Sequence, residues 1–171
     1  MKRNIKLYNM VFPMYFLLHL EPLYWVCIVA ANFLIDSAVL LLGTRLLYKR
    51  FRLDIWKTSV IPVVAVGFLA DFLGFIYLVT TSMAVNPTYQ QAGDSLIKQI
   101  ENGIYFAVNH SYTDSVFGVL FMLSGIFVSA LFIFSFNYVI VLRMSVAEKK
   151  NRLILSLFLA VLTAPYTFLI P

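Results

Sequence analysis

Apolar residues run along this chain in long unbroken stretches, without the alternation of a half-buried strand or the striping of a soluble amphipathic helix. Residues 23–47, 58–83, 115–142 and 153–170 are four such stretches. Each is close to the ~20 mainly apolar residues that a helix needs to cross the ~30 Å hydrocarbon core. The pattern predicts an all-α, polytopic helical membrane bundle, a single integral membrane domain spanning 1–171. A further apolar stretch, 7–20, would rise only about 21 Å as a helix. It is expected to be a short span or a re-entrant or interfacial helix. Basic Lys2, Arg3 and Lys6 precede it as they would a signal peptide, but Tyr8, Asn9, Pro13 and His19 interrupt it, so it is expected to be retained.

Segment 86–114 is the one long polar connection. Within it Leu96, Ile97, Ile100 and Ile104 recur at helical spacing, which predicts a short amphipathic helix. Gly67, Ala70 and Gly74 form a stripe of small residues, the pattern that lets membrane helices pack closely.

Composition supports the lipid setting. Hydrophobic residues make up 61% and charged residues 12%, against roughly 45–50% and about 25% in soluble domains. The net charge of +5 does not point to nucleic acid, because Lys and Arg cluster beside the apolar runs. The basic connections 48–57 and 143–152 are expected to face the cytoplasm and 86–114 the exterior, in a plasma membrane. With a basic N-terminus also inside, the count comes to five crossings. The one cysteine, Cys27, excludes an intrachain disulfide within this sequence and a cysteine-only metal site. It is expected to be a small buried apolar residue.

Two carboxylates break the apolar runs. Asp36 shares a helix face with Asn32, one turn earlier, and Val29, Val39, Leu40 and Gly43 extend that face. Asp71 follows Gly67 by one turn. An ionisable residue at mid-bilayer costs about 2.5–3.5 kcal/mol on insertion scales and marks a functional site by default. Counted from Tyr48 and Trp56 at 1.5 Å per residue, Asp36 and Asp71 lie about 18 and 22 Å from the basic boundary. The same count places Ser129 near ~21 Å from Arg143 and Thr163 near ~16 Å from Arg152. Four helices therefore each bring a polar group to one layer.

A carboxyl pair in that layer can load and release a proton or exchange it for a cation. The expected function is a proton- or cation-handling transporter or channel subunit using Asp36 and Asp71, assisted by Asn32. The chain would work as a homo-oligomer or with a membrane protein partner. The alternative is a non-catalytic accessory, assembly or immunity protein that binds another membrane protein through the Gly67, Ala70, Gly74 face. In that case the carboxylates would only be hydrogen-bonded within the bundle. A membrane enzyme acting on lipid or peptide is a third reading, for which the chain carries no motif. The two histidines, His19 and His110, lack metal-site spacing, and no phosphate loop or nucleophile elbow is present. Neither aspartate sits in the Gly-x-Gly-Asp signature of intramembrane aspartyl proteases. No metal, cofactor or nucleic acid is expected.

Overall fold

A computed structural model of the chain describes residues 22–85, 95–109 and 112–169. The 7–20 stretch, His19, Glu21 and His110 lie outside the described residues. Among the described residues the fold is helical without strands, and four helical stretches are long and apolar enough to span a membrane: Val26–Tyr48, Leu53–Ala84, Val116–Ser145 and Lys149–Leu169. The chain is an integral membrane protein of the all-α class.

Helix α1, Pro22–Tyr48, stops where Lys49 takes a left-handed φ of 56°, the conformation at which many helices end. Helix α2, Leu53–Ala84, opens with Asp54 in its first turn, where a carboxylate suits the helix dipole. Because α2 begins at Leu53 rather than at residue 58, Pro62 lies inside the helix, not in its first turns. The missing N–H leaves the Thr58 carbonyl without its usual helical partner. Helix α3, Leu96–Asn109, is the short helix that the Leu96, Ile97, Ile100, Ile104 spacing predicts. A 3-10 turn, Tyr112–Asp114, leads into α4, Val116–Phe136, which passes through a π-helical turn, Asn137–Val141, into the short α5, Leu142–Ser145.

Helix α6, Lys149–Leu162, is shorter than the expected 153–170 span at its far end. Pro165 disfavours helical backbone at Ala164. The chain leaves the helix at Thr163, whose hydroxyl and backbone N–H both donate to the Leu159 carbonyl at 2.9 Å. A 3-10 turn, Tyr166–Leu169, follows.

Two compact units divide the chain. The larger comprises Glu21–Gly74 and Phe127–Pro165. Its core is a contiguous apolar cluster that includes Leu40, Val63, Ile133, Leu142, Leu155 and Leu159. Helices α1 and α6 run antiparallel within it. Gly43 meets Leu155, and a methyl built on it would also lie 3.3 Å from Phe158 Cδ1. Near the opposite end of the pair, Asp36 meets Thr163. Helix α2 joins the end of α5 through a 2.7 Å hydrogen bond between the Ser59 and Ser145 hydroxyls.

The second unit comprises the described residues of 75–126 together with the final turn, Tyr166–Leu169. Here α3 and the start of α4 approach almost backbone to backbone. A Cβ on Gly103 would collide with Phe117, and one on Gly118 would sit 2.6 Å from the Tyr112 carbonyl oxygen. Gly125 receives Leu78, and the Ser124 hydroxyl donates to the Phe121 carbonyl at 2.6 Å. The Tyr112 hydroxyl donates to the Leu169 carbonyl at 2.5 Å, which ties the final 3-10 turn into this unit.

Outward residues are largely apolar, as a lipid solvent requires. Cys27, expected to be buried, is exposed. Its apolar neighbours on the outward face belong to lipid rather than to a core. Val29 also turns outward, so the α1 stripe is buried at Asp36, Val39, Leu40 and Gly43 but not before Asn32. On α3, Ile104 is buried while Leu96, Ile97 and Ile100 are exposed.

Candidate functional site

The larger unit brings Asp36 and Asp71 to one place. On α1 the face carrying Asp36 turns inward because Val39, Leu40 and Gly43, on the same face, pack into the apolar core. Asp36 is only 6% exposed. On α2 the small residues set the approach. Gly67 has no side chain, and a Cβ built there would lie 3.6 Å from Asp36 Oδ2, an ordinary contact distance. The Asp36 carboxylate therefore sits against the turn of α2 immediately preceding Asp71. The two carboxylates are close enough to interact electrostatically. Ala70 is fully buried beside Asp71, and Gly74 is buried a turn beyond it.

The two acids sit in different surroundings. Asp36 has a hydroxyl neighbour, Thr163, just past the end of α6. The break in the helix ahead of Pro165 sets where that hydroxyl stands. Asp71 is half-buried, with Oδ1 closed off from solvent and without a hydrogen-bond partner. An unpaired buried oxygen of this kind is met by a proton, a cation or an internal water. Asn32 is half-buried, and among the described residues no hydrogen bond joins it to either carboxylate.

Ser129 is fully buried in the same unit, and its hydroxyl is likewise unpaired, bonded to neither acid. Of the four-helix layer expected from depth, then, Asp36, Asp71 and Thr163 come together, while Ser129 contributes an unsatisfied hydroxyl without a link to them.

Sequence reasoning passed over three further polar groups in this unit. Ser37 adjoins Asp36, is buried and has an unpaired hydroxyl. Ser156 is the same on α6. Asn137 opens the π turn, is completely buried, and donates from Nδ2 to the Ile133 carbonyl at 2.8 Å while Oδ1 has no partner. Serines in an apolar run are common enough to carry no signal. Asn137 had one available, since an amide inside a span is costly, but nothing in the residues announces a π turn. With Asp71 and Ser129, these make five orphaned buried oxygens in one small unit, where native interiors keep such groups rare.

Among the described residues no group of three or more His, Cys, Asp or Glu could hold a metal ion. The carboxylate pair has the oxygen ligands suited to a proton or a weakly held monovalent cation. Compared with known protein families, curated proteins and solved structures, the chain matches none.

Proposed function

We propose that this membrane protein handles protons or monovalent cations, as a transporter or channel subunit in which Asp36 and Asp71 form the ion site. The observation that carries the reading is the apposition of Asp36 with the Gly67 turn of α2, next to an Asp71 oxygen that is buried without a partner. A proton taken up on one carboxylate relieves repulsion between the two, and its release to the opposite face restores it. Thr163 and Ser37 supply neutral hydroxyls through which that proton or a cation is passed or coordinated. Four to five helices enclose little space, so the active form pairs the chain with a second copy or a partner subunit.

We place the protein in the plasma membrane, with 48–57 and 143–152 cytoplasmic and 86–114 external. Support comes from the Ser59–Ser145 and Gly43–Leu155 contacts, which gather both basic segments at one end of the larger unit. The accessory-protein alternative would need another face than the small-residue stripe, because Ala70 and Gly74 are buried within the chain and Gly67 faces Asp36.

The test is ion flux in proteoliposomes made with the purified chain. Asp71→Asn and Asp36→Asn should each abolish flux while leaving the helical fold intact. Flux unchanged in both variants would sink the reading.

A further inference from the structure

The short helix α3 poses a problem that the aspartate pair does not touch. At about 100° per residue, Leu96, Ile97, Ile100, Gly103, Ile104 and Ala107 all fall within about one third of its circumference, and Lys98, Glu101 and Asn102 fall on the other side. This single apolar face is divided along its length. Its second half is covered, with Gly103, Ile104 and Ala107 buried. Its first half is open, with Leu96 63% and Ile97 67% exposed and Ile100 exposed beside them. A connection standing in water gains nothing from three large aliphatic side chains gathered on one face.

The level of α3 is set by what its covered half touches. A Cβ on Gly103 would run into Phe117 and sit 3.1 Å from the Gly118 nitrogen, and one on Gly118 would lie 3.2 Å from the Gly103 carbonyl oxygen. Helix α3 is therefore held against the first turn of α4, the end at which that apolar span begins. The outward row of α4 starts at the same level, at Val116, which is 75% exposed, and continues a turn later at Leu120. From Gly103 back to Leu96 is about 10 Å of helix. The open half of α3 thus stays close to the level at which α4 passes from headgroups into hydrocarbon.

Charge narrows the mode of attachment. The polar face of α3 carries one cation, Lys98, and one anion, Glu101, which cancel. Interfacial helices drawn to anionic headgroups carry an excess of Lys and Arg, and α3 has none to offer. What it does offer is apolar surface, which fits the acyl edge of a bilayer whatever the headgroup charge.

We propose that α3 is a membrane-interface anchor, whose Leu96, Ile97 and Ile100 face dips into the acyl boundary of the leaflet that α4 enters. Lys98 and Glu101 stay among the headgroups. The covered half passes this hold to the bundle, so the lipid surface fixes the depth of the first turn of α4. It also fixes the adjoining Tyr112 turn, which is tied to Leu169 through the Tyr112 hydroxyl.

The test is nitroxide scanning of the full chain in phosphatidylcholine vesicles. Cys27→Ala removes the only cysteine of the sequence, and Ile97→Cys, Ile100→Cys, Gln99→Cys and Asn102→Cys then each carry one label. Collisions with oxygen, which concentrates in lipid, are compared with collisions with a water-soluble nickel chelate. The Ile97 and Ile100 labels should meet mainly oxygen, about 5–10 Å into the headgroup and acyl boundary. The Gln99 and Asn102 labels should meet mainly nickel. Adding phosphatidylglycerol should leave the depths unchanged. Should Ile97→Cys fail to fold, Leu96→Cys reads the same open face. Labels on that face as open to nickel as the one at Gln99 would overturn the proposal, because the face would then stand in water. So would labels closed to both reagents or broadened by spin coupling, because protein or a second copy would then cover it. Entry into lipid only when phosphatidylglycerol is present would overturn it as well, since attachment would then be electrostatic.

Discussion

Gly67 is a steric ruler into the carboxylate pair, and graded side chains there should separate folding from function. The Cβ position stands 3.6 Å from Asp36 Oδ2, so alanine adds a methyl at ordinary contact. Replacing glycine inside a helix gains about 0.5–1 kcal/mol, so Gly67→Ala should be at least as stable as the parent. A valine or leucine carries further carbons about 1.5 Å beyond Cβ, into space the carboxylate oxygen already fills. Asp36 is too buried to swing freely into water, so the collision should cost about 1–3 kcal/mol as overpacking. The same carbons also strip the carboxylates of any ion or water between them.

The assay pairs thermal unfolding in detergent with ion flux in proteoliposomes. Gly67→Ala should stay folded and keep most of its flux. Gly67→Val should lose flux entirely even under conditions where it remains folded. Adding Asp36→Ala to Gly67→Val vacates the contested volume and should restore stability without restoring flux. A folded Gly67→Val protein that transports like the parent would refute the idea that ions pass between Asp36 and α2.

Other substitutions test the packing. Gly43→Ala puts a methyl onto the fully buried Leu155 and 3.3 Å from Phe158, and should destabilise by about 1–3 kcal/mol. Leu155→Ala should cost about 2–5 kcal/mol alone, but less than additively beside Gly43→Ala, as a double-mutant cycle of unfolding free energies would read out. Gly103→Ala meets Phe117 and, at 3.1 Å, the Gly118 backbone nitrogen. Backbone yields less readily than a side-chain tip, so hydrogen exchange should speed up across Leu96–Asn109 while the larger unit keeps its protection. Asn137→Leu removes a bond worth about 0.6 kcal/mol on average inside membrane bundles. It also deletes an orphaned acceptor whose burial costs about 1–3 kcal/mol, so its unfolding midpoint should rise; a fall would mean that Oδ1 is satisfied in the membrane.

How much of this was legible in the sequence follows from what lipid does to the hydrophobic signal. The spans announce themselves because a bilayer demands length and apolarity, and α1, α2 and α4 lie close to where the runs predict. The same demand erases the facing of each helix. A span apolar all round has no stripe to say which side turns inward, so Cys27 and Val29 could point to lipid while looking like core.

Facing was legible only where chemistry departed from hydrocarbon: at Asp36, which must turn away from lipid, and at Gly67 and Ala70, which let α1 and α2 approach closely. These residues are the candidate site itself. In this chain the polar exceptions fix how the helices turn, and so truncating the carboxylates also loosens the interface they specify. That is why Asp→Asn, which keeps the shape and the hydrogen-bonding capacity, tests the ion role more cleanly than Asp→Ala. It also explains what stayed hidden. The end of α6 at Thr163 depends on a local effect of Pro165, and the π turn at Asn137 adds one residue to a helical turn without changing composition at all. Both alter which side chains share a level in the bundle, and the first sets where the Thr163 hydroxyl meets Asp36.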